Sequence, residues 1–348
     1  MESVKSGFMT NNQTYNLIDA VIAVTYQCNS KCTMCNIWLD QRRPQITPED
    51  YAKLPRTLRY VNLSGGEPFL NLNLPKIVAI ISQRCPKAEI VISTNAFATA
   101  LIRRQMTEIL KINPQVGIAV SLDGVGDKHE EVRRIDQGFA KVMTTVKMLK
   151  EDLGITNLRL AFTAGDYNIE HLSMAYDLAK RLGVDFTMAA VHNSENFFQI
   201  MSNNITALEK FKREFTRVMS RQLKSLKPKQ WVRAFFTHGL LSFVLNHQRV
   251  LPSYTGKLSF YLDPLGFVYP SDASLKEMGN LKDFKDFNTL MASDKAQRVL
   301  NGEKECDQSW MICTVRAAMR RHPWRIGVWL LKNKARALLP ARLGGFDV

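Results

Sequence analysis

The sequence predicts an α/β fold of six strand–helix repeats followed by a smaller segment of different character. Three observations carry this. Short apolar, β-branched runs alternate with longer amphipathic ones as far as residue 190, which argues for a parallel sheet with helices outside. Polar residues gather directly after the strand patterns, as in Ser93-Thr94-Asn95 and Ser121-Leu122-Asp123-Gly124, where barrel-type sheets put their sites. Beyond residue 195 the alternation stops.

Residues 1–16 read as a loosely packed lead-in. Asn16 to Tyr26 is the first strand, and a cysteine loop follows at once. Thr47-Pro48-Glu49-Asp50 starts a helix, with Thr as N-cap and Pro at the first helical position. Strands at Leu58–Leu63, Ala88–Ser93, Val116–Leu122, Leu158–Thr163 and Phe186–Ala190 alternate with helices at Leu74–Gln83, Ala98–Ile112, Phe139–Leu149 and Ile169–Leu182. Cys85 reads as a packing cysteine. Leu208, Phe211, Phe215 and Val218 recur at helical spacing among basic residues, an amphipathic helix laid over the barrel. His238 and His247 read as structural. Leu258 to Pro270 is a hairpin turning at Asp263, Pro264 and Gly266, and a helix follows near Phe287–Leu300. The tail Pro323–Leu339 is a helix with Trp324, Val328, Leu331, Ala335 and Leu338 on one face. Arg325, Lys332 and Arg336 run beside them.

Composition excludes several classes. The chain has 348 residues, 45% hydrophobic, enough for a large core. Six cysteines in this length do not make a secreted disulfide scaffold. The polar start lacks the apolar core of a signal peptide, and no run approaches the roughly 20 apolar residues of a membrane span. A cytoplasmic protein is expected, with peripheral contact at the inner membrane face open to it. The net charge is +15; from Thr314 to Val348 eight Lys or Arg face one acid. Such a tail suits an anionic partner or a solvated basic face, and Trp with Lys/Arg flanks suits a membrane interface.

Two motifs carry chemistry. Cys28, Cys32 and Cys35 stand as Cys-x-x-x-Cys-x-x-Cys on one short loop. Three thiolates there can converge on one metal centre, and soft sulfur favours an iron–sulfur cluster or zinc. Zinc wants a fourth ligand nearby, and no His or Cys occurs from Asn36 through Arg84. One strand–helix unit later, a strand pattern runs into Gly65-Gly66-Glu67-Pro68. Paired glycines at a strand end admit a ligand close to the backbone, and Glu67 offers a carboxylate to an amine.

In these motifs the sequence resembles the radical S-adenosylmethionine (SAM) superfamily. The resemblance implies a partial (β/α)6 TIM-type barrel over residues 17–195, a helical cover over 196–256, and a small α+β extension over 257–322. A basic helix and tail follow over 323–348. It implies a 4Fe–4S cluster on Cys28, Cys32 and Cys35, whose open iron chelates SAM. Reductive cleavage then yields a 5′-deoxyadenosyl radical that takes hydrogen from substrate. Gly65, Gly66 and Glu67 would receive the SAM amine. Asn95, Ser121 and Asp123 would sit near its ribose and carboxylate, and Arg133, in the run His129-Glu130 to Arg133, would pair with the carboxylate. An electron donor such as flavodoxin or ferredoxin is implied. Asp166, Asn168, His192, Asn193 and Glu195 follow later strands and would face ligand or substrate. The extension resembles the SPASM or twitch type, which holds an auxiliary cluster, but Ser271 and Ser309 stand where cysteines are expected and only Cys306 and Cys313 remain.

The basic tail points to an anionic substrate, such as a sugar- or lipid-linked metabolite. A ribosomal-peptide maturase is the alternative, weakened because the 16-residue lead-in is too short for a recognition domain. A zinc-dependent nucleic-acid-binding protein is the rival from another class. It lacks paired Cys/His ligands and stacking aromatics beside the basic run, so no nucleic acid is expected. A degenerate scaffold is opposed by the intact motifs.

Overall fold

The computed structural model describes residues 15–302 and 309–338. Among them nine strands form one sheet in the order β6-β5-β4-β3-β2-β1-β7-β8-β9. Strands β1 (Asp19–Ala23), β2 (Tyr60–Ser64), β3 (Glu89–Thr94), β4 (Gly117–Ser121), β5 (Leu158–Ala164) and β6 (Asp185–Ala190) are parallel neighbours. Helices α1 (Leu74–Arg84), α2 (Thr99–Ile112), α3 (Asp127–Arg133), α4 (Gly138–Lys147) and α5 (Leu172–Arg181) connect β2 through β6, while only short 3-10 turns at Ile37–Leu39 and Pro48–Lys53 lie between β1 and β2. This is the predicted partial barrel. Strand alternation sorts its two faces. Ile22, Leu63, Ile92, Val120 and Leu160 join helix residues such as Val78, Ile102 and Val146 in one buried core. The opposite face carries Asn62, Ser64, Ser93, Ser121 and Thr163, which line an interior cavity.

Two regions depart from the sequence pattern. It predicts α6 (Leu208–Lys224) but not the longer α7 (Pro228–Asn246) or α10 (Ile312–Arg321). Every residue from Ala234 to Ser242 is buried, and a helix buried on all sides shows no 3.6-residue stripe. The hairpin is present as β7 (Ser259–Leu262) and β8 (Phe267–Tyr269), but it does not form a layer of its own. β7 pairs in parallel with β1, Asp19 opposite Ser259 through Ile22 opposite Leu262, because Tyr261 packs on Val21 and Ala23. β8 and β9 (Gly279–Asn280) add antiparallel. The single helix expected near 287–300 is two, α8 (Phe287–Met291) and α9 (Asp294–Gly302).

The sheet does not close on itself, and its open side lies between the residues after β6 and those after β8. Side chains bridge it. The Ser194 hydroxyl donates to the Asp272 carbonyl, Asn196 Nδ2 donates to the Ser274 carbonyl at 2.6 Å, and the Tyr261 hydroxyl donates to the Asn196 carbonyl at 3.2 Å. α11 (Pro323–Leu338) ends the described chain and packs on α6 and α7.

The start of α10 is anchored by Trp310, which is 1% exposed and donates its indole N–H to the Phe236 carbonyl at 3.0 Å. Its ring lies against Gly239 with no room for a Cβ. Gly239→Ala should therefore destabilise the protein by about 1–3 kcal/mol through overpacking, despite the better helix propensity of alanine. Urea unfolding measures this; an unchanged or raised midpoint would mean that Trp310 is not seated on α7.

Candidate active site

The site begins where β1 and β2 end. The Gly66 N–H donates to the Thr25 carbonyl and the Glu67 N–H to the Gln27 carbonyl, both at 2.8 Å. Gly65 has φ +130, and a Cβ on either glycine would run into the backbone of Thr25–Gln27. The glycine pair thus lets the chain approach itself just before Cys28. The sequence suggested only an approach by ligand.

Glu67 also makes bonds within the protein. Its side chain is fully buried and is not among the residues lining the cavity. Oε1 accepts from the Phe69 N–H at 3.2 Å and the Thr94 hydroxyl at 2.9 Å, and Oε2 from the Asn95 N–H at 2.7 Å. In this structure the carboxylate, expected to meet the SAM amine, holds the end of β3. Burial pushes its carboxyl up to about 7, against the pull of these donors.

Cys28, Cys32 and Cys35 all line the mouth of the cavity. Donors converge on the sulfurs: Arg133 Nη1 lies 3.5 Å from Cys32 Sγ, the Ser30 hydroxyl 3.1 Å from the same atom, and Asn95 Nδ2 3.9 Å from Cys28 Sγ. Burial raises the Cys28 and Cys35 thiols to about 12. Three thiols on one loop, ringed by donors that stabilise charge on sulfur, fit an iron–sulfur cluster.

Arg133 is held by Asp123, Nη2 to Oδ2 at 2.5 Å. Asp123 is fully buried and, like Glu67, stands behind the cavity wall. Its Oδ1 accepts from the Thr163 N–H at 2.7 Å and its carbonyl from Asn168 Nδ2 at 2.9 Å. This side chain positions Arg133. His129 is buried beside it, accepting from the Asp123 N–H at 3.1 Å. Burial first, then Arg133, pushes its imidazole down to about 3. Asp166 is drawn away to Thr206 and Ala207, and Asn193 to Asn203.

Gly65, Gly66, Asn95, Ser121 and Arg133 line the same cavity as the cysteines, a space of about 300 Å³. Its floor is charged and paired: Asp19 with Arg316 at 2.9 Å and Glu89 with Arg159 at 3.3 Å. Its side wall holds His192, which the sequence placed toward substrate, Cys313 of the extension, and Asp272, which the sequence left in the background. Asp272 is buried, 3.8 Å from His192 Nε2. Asp272 Oδ1 and both His192 nitrogens have no hydrogen-bond partner among the described residues. Asp272 was legible only as the neighbour of Ser271. The Ser271 hydroxyl lies 3.1 Å from that of Ser274, and the Ser309 carbonyl accepts from Arg249. Cys306 lies outside the described residues.

Comparison with known proteins agrees with this geometry. Residues 22–179 match the radical SAM superfamily. The chain carries a radical SAM domain. It is 26% identical over 175 residues to a probable GTP 3′,8-cyclase of Methanococcus vannielii, covering 47% of this chain and 54% of that one. It is 25% identical over 145 residues to the sporulation killing factor maturation protein SkfB of Bacillus subtilis, covering 40% and 34%. The chain thus spans about half or less of these curated relatives. Among solved structures it resembles native anSMEcpe with bound AdoMet and Cp18Cys peptide, with TM-score 0.62, 15% identity, and coverage of 91% of this chain and 99% of that one. SuiB of Streptococcus suis gives TM-score 0.61 at 14% identity, covering 86% and 72%. These likenesses establish the fold. The radical SAM domain over residues 22–179 leaves the reaction type open. Among the described residues no helix is long and apolar enough to cross a membrane.

The three bonds to Glu67 generate a test. Glu67→Ala leaves buried donors unsatisfied, so it should lower folding stability by about 1–3 kcal/mol without any SAM present. Urea unfolding of the apoprotein reads this. A variant as stable as the parent would return Glu67 to the ligand.

Proposed function

We propose that Cys28, Cys32 and Cys35 hold a 4Fe–4S cluster, that SAM lies across the ends of β2 to β4, and that the substrate enters the barrel beside Asp272 and His192. When bound, the cluster supplies the electron that cleaves SAM and starts hydrogen abstraction. The chain does the rest. Gly65, Gly66, Asn95, Ser121 and Arg133 line the SAM side, with Arg133 offering its guanidinium to the SAM carboxylate. Glu67 and Asp123 keep Asn95 and Arg133 in place.

The observation that carries the substrate side is the unpartnered Asp272 Oδ1 in a buried wall. A buried acceptor left open costs stability unless a ligand completes it. The arginines of the cavity floor, by contrast, already have acids: Arg159 with Glu89, Arg316 with Asp19. This supports a substrate that brings a hydrogen-bond donor, a hydroxyl or amine, to Asp272, and weighs against an anionic group seated in the barrel. Burial raises the Asp272 carboxyl, while His192 opposes the shift. Likeness to a fold solved with a peptide bound supports a donor group carried on a peptide side chain as the second reading.

We also propose one cluster per chain, because Ser271 and Ser309 take the places of expected thiolates and serine is a poor iron ligand. Anaerobic reconstitution should give about four iron atoms per chain; about eight would show that a second cluster is completed by other ligands. Cys28→Ala, Cys32→Ala and Cys35→Ala should each abolish dithionite-driven release of 5′-deoxyadenosine. Asp272→Leu, which has no acceptor, should keep that release, which needs no substrate, but lose the extra release provoked by a fraction of hydroxyl- or amine-bearing metabolites or peptides. Retained SAM cleavage in any cysteine variant would overturn the cluster assignment, and full substrate response in Asp272→Leu would overturn the substrate site.

A further inference from the structure

The terminal helix presents a surface that the barrel chemistry does not use. α11 buries Ile326, Asn333 and Ala337, and Trp329 packs on Phe235 and His238. The face predicted to be apolar is the opposite one, and it is uncovered. Trp324 is 63% exposed, Val328 47% and Leu331 79%. Their spacing of four and three residues makes one stripe along the helix. Arg325 and Lys332 are exposed along it, and Arg320 and Arg321 at its start. From Met319 to Leu338 there are six Lys or Arg and no acid. The stripe continues toward α6 and α7: Lys334 Nζ lies 3.3 Å from the Trp231 ring centroid, and the neighbouring loop exposes Leu226 at 92% between Lys224 and Lys227.

We propose that this face docks the enzyme on an anionic phospholipid surface. The helix would lie in the plane of the headgroups, with Trp324, Val328 and Leu331 at the acyl boundary and the cations among the phosphates. Charge decides between occupants. A second copy of the chain would set two basic, acid-free faces against each other, and those like charges repel. A narrow apolar stripe between basic flanks suits an interface that is apolar at depth and anionic at its surface. This proposal is independent of the substrate, since none of these residues lines the cavity.

The test is co-sedimentation of the reconstituted full chain with phosphatidylcholine vesicles, with and without about one-third phosphatidylglycerol. The expected result is binding that needs the anionic lipid, weakens with salt, and falls about tenfold or more in Leu331→Glu and in the pair Arg325→Glu/Lys332→Glu. Both variants should keep the parent's unfolding midpoint and its release of 5′-deoxyadenosine. No binding by the parent, or equal binding by the variants, would overturn it. So would a dimer on gel filtration that Leu331→Glu dissolves, since the stripe would then belong to a second copy.

Discussion

The barrel mouth depends on the backbone contact between Thr25–Gln27 and Gly65–Glu67. Two amide–carbonyl bonds at 2.8 Å pin the start of the cysteine loop to the end of β2, and the approach leaves no room for a side chain at either glycine. The next link is the Glu67 carboxylate, buried and bonded to both Thr94 and Asn95. It fixes the end of β3, from which Asn95 reaches back to Asn29 at 2.7 Å and to Cys28. Asp123 repeats the device one strand later, joining the Thr163 amide of β5 to Arg133, which turns to Cys32. Buried charges survive only when paired and hydrogen-bonded. Here the pairing is also what aligns the ends of five strands around one loop.

A barrel that stays open must close its gap by other means. The extension does so by continuing the sheet through β7 and by accepting side-chain bonds from Ser194 and Asn196. It then reaches under the barrel, where Arg316 of α10 pairs with Asp19 and covers the Tyr60 ring at 4.0 Å. The cavity floor is therefore neutralised by a segment almost 300 residues away in sequence. The excess positive charge of the chain is largely outside, on α10, α11 and the α6–α7 loop. Overall charge thus says more about what the outer surface meets than about what the cavity binds.

The βα alternation was legible because each strand is short and each connecting helix has one wet face. α7 was not, since burial on all sides erases the periodicity that marks a helix. The cysteine loop and the glycine pair were legible as motifs, but the bonds their neighbours make within the protein were not, for a common reason. Glu67 and Asp123 are polar residues at strand ends, and sequence cannot tell a carboxylate that faces ligand from one turned back to hold the chain. Asp272 failed in the opposite sense. It follows a hairpin whose partner, the segment after β6, lies about 80 residues earlier, so only the folded barrel brings it beside His192.

The same reasoning bears on Ser271 and Ser309. A segment that kept its shape through bound metal would lose that shape along with its thiolates. Here the shape has other supports: β7 paired to β1, Trp310 seated on Gly239, and Arg316 inserted toward Asp19. The Ser271 hydroxyl meets Ser274, so that side chain is bonded within the protein's own polar network. The pairing of β7 with β1 also closes the side of the cavity, and Arg316 neutralises its floor. The extension can therefore shape the substrate space whatever metal it holds, which is the sense in which serine at these positions is compatible with an active enzyme.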